Sequence, residues 1–452
     1  MFVWIMRMSY NKSIEYMPIL DKIKEIWNNF SEVTQKLILG TVFIVVSIFL
    51  AWLIYIIFFA PSISLPPKRV PIPDETGRFP EDTGGREGVP ATPSDRTGAL
   101  PIEAESAQAL IVPAPIDEVA KGGVTKTNLI TSRPVRAPTF ASDQRGFHYH
   151  DPITGKFYRI PITGGAPQQL SSKEFQGVSQ VTWSGEGNRA VIEFQDGANI
   201  LYNFVTDRQV TLPKEAQDFG FSERGSKIAY EFVTENPDKN FIVVSDDDGR
   251  NARAVEELSP DPADMQILWS PSEQFVALFR KGSDINSQDI FFIGQNLENF
   301  KKLETKGRGF KGKWSPRGNK LLYSEYLEEE LFRTSLFIAN ALPDTIGTDN
   351  KALDVPTTVD KCVFDQDNIT VYCAVPLYLP QASGQYPELL EGIPDEIYQI
   401  NTRTGLKRKL AEMVTASGVG NFSVQSIFLG HDGKTLYVLD DSNLLRSLRI
   451  QE

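Results

Sequence analysis

Residues 314–325 read WSPRGNKLLYSE. An aromatic anchor, Trp314, precedes a Ser-Pro-x-Gly turn, and a short apolar run follows. The same design recurs as WSGEGNRAVIEF from Trp183, FSERGSKIAYEF from Phe221 and WSPSEQFVALFR from Trp269. Looser copies are FASDQRGFHYH from Phe140, FDQDNITVYCAV from Phe364 and LGHDGKTLYVLD from Leu429. The anchors are therefore 43, 38, 48, 45, 50 and 65 residues apart. That spacing suits four short strands per repeat, as in a propeller blade.

Each part of the repeat has a physical role. The anchor ends one strand and is expected to pack between neighbouring blades. The turn reverses the chain, with Gly187, Gly225, Gly318 and Gly433 supplying positive φ. The next run is a strand buried between blades. A third strand follows in each copy, as in KFYRIPI, NILYNFV and DEIYQIN, and a fourth after turns such as Thr404-Gly405. The last copy ends at Glu452 with no room for a fourth strand. Residues 125–131, TKTNLIT, can supply it from before the first copy and close the ring, which removes open strand edges. The expected fold is all-β: a seven-bladed β-propeller over residues 125–452. The alternatives are an open β-sandwich or two smaller β domains.

The W-S-P-x-G-x-x-L/I/V-A pattern resembles the WD-repeat-like propeller repeats of TolB and of the propeller domains of prolyl-oligopeptidase-type peptidases. The resemblance covers roughly residues 125–452. It lies in anchors and turns, so it implies the fold and says almost nothing of function. Nothing in the chain resembles the separate N-terminal domain of TolB, so the resemblance carries over none of its partners.

Upstream of the repeats the chain changes character twice. Residues 37–60, LILGTVFIVVSIFLAWLIYIIFFA, are 24 residues without a charge. That is enough to span a bilayer as a tilted helix stopped by Pro61. The run is too long, and starts too late, for a cleaved signal peptide. Before it, Ile19, Leu20, Ile23, Ile26, Trp27, Phe30 and Val33 recur at helical spacing within segment 1–36. That segment reads as an amphipathic helix on the inner membrane surface, or as a partner helix. Lys22, Lys24 and Lys36 before the span, against Lys68 and Arg69 after it, favour a cytoplasmic N-terminus. Residues 61–124 are rich in Pro, Gly, Thr, Asp and Glu and read as a disordered linker. Such a linker has a reach of roughly 45 Å.

The net charge of −12 argues against nucleic-acid binding, which needs a basic surface. The three histidines, His148, His150 and His431, and the C-x10-C pair do not have the spacing of a zinc site. No G-x-S-x-G, H-E-x-x-H, P-loop or dinucleotide fingerprint is present. No catalytic residue, cofactor or metal is therefore assigned, although carboxylates from distant repeats can still converge in a propeller channel.

Three features remain as candidate sites. The insertion Pro376–Pro394 joins the second and third strands of the sixth repeat, and Tyr378, Tyr386 and Pro387 offer a contact surface. The alternative is a loop folded over a neighbouring blade. Glu328, Glu329 and Glu330 in YLEEELF emerge on the same face, as a cation site or a solvated rim. Asp246-Asp247-Asp248-Gly249 reads as a hairpin turn, since it lacks the ligand spacing of a calcium loop. The expected role is a membrane-tethered module outside the cytoplasm that binds an envelope protein or glycan. The alternative is an enzyme, such as a glycan-active hydrolase or lyase, with its site in the channel.

If the sixth repeat turns between Asp367 and Asn368, Cys362 and Cys373 stand directly opposite across two strands. Opposite Cβ atoms approach closely enough for a disulfide, which needs an oxidising compartment. Two buried free thiols are the alternative. Alkylation of the unfolded chain without reductant distinguishes them. Neither cysteine is expected to label, and full labelling of both excludes the disulfide.

Overall fold

The repeats form antiparallel sheets that meet edge-on at their first strands. The computed structural model describes residues 115–258, 265–284, 286–420 and 422–452, together with Ser47, Phe49 and Leu50. Segment 1–36, nearly all of the span 37–60 and residues 61–114 of the linker lie outside the described residues. Among the described residues no helix is long and apolar enough to cross a membrane.

The first strand, β1 (Val124–Leu129), precedes the repeats. Five sheets then have four strands each, in sequence order. They are β2 (Arg136–Phe140), β3 (Gly146–Asp151), β4 (Lys156–Pro161) and β5 (Gln168–Gln169); β6 (Val178–Trp183), β7 (Arg189–Phe194), β8 (Asn199–Asn203) and β9 (Arg208–Leu212); and β10 (Ala216–Phe221), β11 (Lys227–Phe232), β12 (Phe241–Asp246) and β13 (Arg253–Glu257). Next come β14 (Met265–Ile267), β15 (Phe275–Gly282), β16 (Gln288–Gly294) and β17 (Leu303–Thr305). The fifth sheet is β18 (Arg308–Trp314), β19 (Lys320–Leu327), β20 (Arg333–Asn340) and β21 (Lys351–Ala352).

The remaining strands are β22 (Cys362–Phe364), β23 (Thr370–Pro376), β24 (Asp395–Asn401), β25 (Lys407–Val414), β26 (Val424–Leu429), β27 (Thr435–Asp440) and β28 (Leu445–Arg449). They form one eight-stranded sheet, β22-β23-β24-β25-β1-β28-β27-β26. β1 is the joint. Val124–Lys126 runs parallel to β25, opposite Glu412 to Val414. Thr127, Asn128 and Leu129 then run antiparallel to β28, opposite Leu448, Ser447 and Arg446. The pairing of the earliest repeat-flanking strand with the last strand closes the circuit as the sequence anticipates. The chain is already tied down before β1: the Ala120 amide donates to the Arg449 carbonyl and the Gly122 amide to that of Leu410, at 2.9 and 2.7 Å.

First strands touch first strands, β2 with β6, β6 with β10, β10 with β14 and β22 with β26, so they form the inner layer. Apolar clusters fill the spaces between successive sheets. Phe275, Phe292, Trp314 and Tyr323 pack between the fourth and fifth sheets. Tyr437, Leu439 and Leu445 pack on Phe147 and Ile160, which joins the last strands to the first sheet. The anchors do what their position predicts. The indole N–H of Trp183 donates to the Ala137 carbonyl, that of Trp269 to Gly220 and that of Trp314 to Leu268, each in the sheet before, at 2.8, 3.0 and 3.2 Å.

The turns after the anchors share one geometry. Positive φ falls at Gln144, Gly187, Gly225, Glu273, Gly318, Asn368 and Gly433, equivalent positions in every repeat. The Ser184, Ser222, Ser270 and Ser315 hydroxyls each accept from the amide five residues on, which pins the hairpin. Cys362 and Cys373 are directly paired across β22 and β23 and are joined in a disulfide.

The closure can be tested by truncation. Removing residues 1–114 is expected to leave the thermal melt of the β-domain unchanged. Removing 1–129 exposes β25 and β28 edges and two apolar interfaces, and is expected to cost several kcal/mol or abolish the cooperative transition.

Candidate functional site

One end of the inner layer opens into a cavity of about 910 Å³. Its floor comes from the starts of first strands, Gly309 and Lys311 on β18 and Val424 and Gln425 on β26. Its walls are Ser324, Glu325 and Tyr326 at the end of β19, the turn Thr358–Lys361, and the β27–β28 turn at Asp441 and Asn443. The insertion supplies the remaining side with Gly384, Pro387, Leu390, Glu391 and Gly392.

The insertion takes this position because it is fastened to the neighbouring sheet. The amides of Ala382 and Gly384 donate to the carbonyls of Leu331 and Phe332, both at 2.9 Å. The Arg333 guanidinium donates to the Leu379 carbonyl at 3.0 Å. Gly384 is where the two segments come closest: a Cβ there would lie 2.4 Å from the Tyr326 Cβ. The loop is thus folded over the adjacent sheet, and it still leaves Tyr378 and Tyr386 63% and 55% exposed. Pro387 lines the cavity, whereas the two tyrosines are on the outer surface.

The lining is polar although much of it is out of water. Ser324, Glu325, Thr334, Lys361 and Ser423 all face the cavity and are all buried. Most of the charge is matched. Lys361 donates to both Asp395 oxygens at 3.0 and 2.9 Å, and the Val424 amide donates to Asp395 at 2.7 Å. Burial pushes the Asp395 carboxyl up, and Lys361 and the Val424 amide pull against it. Lys311 pairs with Asp360 at 2.7 Å. Behind them the buried Lys313 ammonium donates to the Cys362 carbonyl at 2.6 Å, and burial pulls it down to about 8.

Glu325 is different. It is 1% exposed, and neither carboxylate oxygen has a hydrogen-bond partner. The amides of Lys306 and Gly307 and the Thr305 hydroxyl lie near it. The hydroxyl is committed to the carbonyls of Gln288 and Gly307 at 3.0 and 3.1 Å. Burial outweighs these neighbours and raises the Glu325 carboxyl to about 7.

A second polar cluster joins residues of β7, β10 and β11. Glu231 accepts from Gln217 at 3.2 Å. Burial, with the like charge of Asp218, raises both Glu193 and Glu231 to about 7. Asp218 stands at φ 52° in a bulge of β10, and burial raises it as well.

The other sequence candidates are not drawn into the cavity. Glu328, Glu329 and Glu330 form a short exposed turn after β19. Asp246–Gly249 is a hairpin turn, with Gly249 at φ 79°. His148 and His150 are buried with ring nitrogens 2.8 and 3.2 Å from the carbonyls of Gly187 and Phe175, and burial lowers both toward the neutral form. His431 is exposed. Among the described residues no group of three or more His, Cys, Asp or Glu is arranged to hold a metal ion.

The repeats contained a signal for the buried acids. Glu193 and Glu231 each stand ten residues after their anchors, and Glu325 eleven. An acid ten or eleven residues after the anchor, near the end of the apolar second strand, is that signal.

The raised carboxyls make stability depend on pH. A folded pKa of about 7 for Glu325 against 4.5 unfolded means a penalty that is absent below 4.5, grows with pH, and is complete above about 7. Glu325→Gln is therefore expected to stabilise the fold at pH 8 by on the order of 2 kcal/mol, and far less near pH 4.5. Urea midpoints of the two proteins at both pH values check the sign.

No protein-family model matches the chain, and no curated protein matches it in sequence. Solved structures do match. An oligogalacturonate lyase in complex with manganese superposes with a TM-score of 0.51 at 13% identity, over 74% of this chain and 99% of that one. The β-propeller domain of Cps50 (Swd1) from Myceliophteria thermophila gives 0.48 at 13% identity, over 72% and 100%. TolB from Acinetobacter baumannii gives 0.40 at 14% identity, over 62% and 64%. At such identity the likeness to the lyase is one of fold alone: the chain carries a β-propeller.

Proposed function

We propose that this chain is a seven-bladed propeller held at a membrane by residues 37–60, with the propeller outside the cytoplasm, where it binds an envelope protein or glycan. The count of seven takes the eight-stranded sheet as two blades linked by β1. Apolar clusters between all successive sheets support it. The uncharged run of 24 residues supports the anchor. The Cys362–Cys373 disulfide supports an oxidising compartment.

The observation that carries the binding role is the cavity of about 910 Å³ at the end of the inner layer, walled on one side by a dedicated insertion. A loop of this length, fastened to a neighbouring sheet by backbone hydrogen bonds, is a preformed surface. Tyr378 and Tyr386 give it exposed aromatic area.

A second reading, an enzyme with its site in the channel, is favoured by Glu193, Asp218 and Glu231. Raised carboxyls gathered from β7, β10 and β11 are what general acid–base chemistry needs.

Crosslinking of the full-length protein in cells, with mass spectrometry of the captured peptides, separates the readings. Recurrent crosslinks from residues 376–394 to one envelope protein are expected, and Tyr378→Ala with Tyr386→Ala should weaken them. Absence of any protein partner, together with turnover of a glycan that Glu193→Gln and Glu231→Gln abolish, would move the assignment to the enzyme.

A further inference from the structure

We infer that a second cavity, at the seam where the chain crosses from the last sheet to the first, binds a small zwitterion of the amino-acid class. Arg133 meets its carboxylate and Asp151 its ammonium group. The site shares no residue with the cavity beside the insertion and does not depend on what is bound there.

The seam cavity has a volume of about 500 Å³, within the range of small-molecule sites. Residues 129–133, which link β1 to β2, form one wall. Tyr149 and Asp151 of β3 and Tyr158 and Ile160 of β4 face them, with Gly165 and Pro167 from the turn before β5. Backbone hydrogen bonds hold the link to the last sheet. The Ile130 amide donates to the Leu445 carbonyl and the Val135 amide to that of Asn443, at 2.8 and 2.9 Å. The walls therefore need no ordering when a ligand arrives.

Arg133 and Asp151 are the only charged residues lining this cavity among the described residues. Asp151 is 5% exposed, and its Oδ1 accepts from the amides of Ile153 and Thr154 at 2.8 and 3.1 Å. Its Oδ2 accepts no hydrogen bond and keeps accessible surface. Tyr149 is 6% exposed, and its hydroxyl likewise has no partner and is not enclosed. Burial, with the nearby charges of Asp151 and Tyr158, raises that hydroxyl to about 12, so it remains a donor. The Arg133 guanidinium is exposed and joins no hydrogen bond or ion pair among the described residues.

An unspent cation and an unspent anion in one cavity select a ligand that carries both charges. A lone anion is repelled by the buried Asp151, which has little water around it to screen the charge. A lone cation is repelled by Arg133. A zwitterion meets an opposite charge at each end, through charge-assisted hydrogen bonds. The rest of the wall is apolar: Leu129, Ile130, Ile160, Pro167 and the Tyr158 ring, which stacks on Tyr149 at 5.9 Å. That surface suits an apolar side chain between the charged ends, and a hydrated inorganic ion gains nothing from it.

The experiment is calorimetric titration of the full-length protein in detergent with L-leucine and L-phenylalanine. Each is matched with analogues that lack one charge. These are 4-methylpentanoate and 3-methylbutylamine for leucine, and 3-phenylpropanoate and 2-phenylethylamine for phenylalanine. At least one amino acid is expected to bind saturably with a Kd below about 1 mM, and both of its analogues at least about tenfold more weakly. Arg133→Gln and Asp151→Asn are each expected to weaken the amino acid at least about tenfold. Asp151→Asn keeps an acceptor for the Ile153 and Thr154 amides, and Arg133→Gln removes no contact within the protein. Thermal melts without ligand establish that each variant is folded, and Arg133→Gln carries the test should Asp151→Asn melt early.

Failure of both amino acids to bind up to about 10 mM would overturn the inference. Analogues that bind as tightly as their amino acid would overturn it too, since the cavity would then be a merely apolar site. Unchanged affinity in either variant that melts like the parent would do the same. A rise in melting temperature on adding the amino acid, seen in the parent and in neither variant, supports the site independently.

Discussion

The rest of this structure depends on the burial of one sheet face against the next. A four-stranded sheet with two apolar faces is unstable alone, and each sheet here is covered by its neighbours on both sides. The tryptophan anchors show how the contact is specified. Trp183, Trp269 and Trp314 fill the gap between sheets and donate their indole N–H groups to carbonyls of the preceding inner strand. The apolar ring supplies burial, and the N–H fixes the position of one sheet against the next. Because each sheet needs two neighbours, the arrangement has no natural end. β1 provides one by bonding to β25 with its first half and to β28 with its second.

Closure has a consequence for the interior. First strands meet around an axis, and side chains that point there have no apolar face to join. Bulges recur near the starts of these strands, at Arg136/Thr139, Val178/Gln180, Gln217/Gly220, Arg308/Lys311 and Val424/Ser426. A bulge bends the strand and re-aims side chains. Polar and charged groups therefore gather at that end of the fold. Most are satisfied locally. Arg446 bonds to the buried Asp440 at 2.8 Å and lies 4.2 Å from the Phe422 ring centroid. Lys361 and Asp395 satisfy one another and tie the turn before β22 to β24 and, through the Val424 amide, to β26. Against this background, a buried carboxylate with no partner stands out.

Much of the fold was legible in the residues. The anchors, the turn glycines and the apolar second strands are local features, and each works through short-range chemistry: positive φ at a turn, alternation along a strand, an aromatic that must be covered. Cys362 and Cys373 were legible for the same reason, since a hairpin of known centre fixes which residues face one another. The site was only half legible. The insertion Pro376–Pro394 announced itself by length, but its fastening to Leu331 and Phe332 depends on which sheet lies beside it. Glu325 was on the page as the last letter of WSPRGNKLLYSE, eleven residues after its anchor, but how far it is desolvated depends on the elements packed around it.

What the sequence determined by itself is the repeat, the turn geometry and the need for an N-terminal strand to complete the last sheet. These follow from period-two burial and from backbone conformations that few residues adopt. What only the tertiary structure decided is which side chains share the cavity, which lysines are already spent on Asp360 and Asp395, and which acid is left without a donor. Those outcomes join residues up to 134 positions apart, from Gly309 to Asn443. Desolvation depends on everything that surrounds a group, and the surroundings of Glu325 are assembled only when the ring has formed.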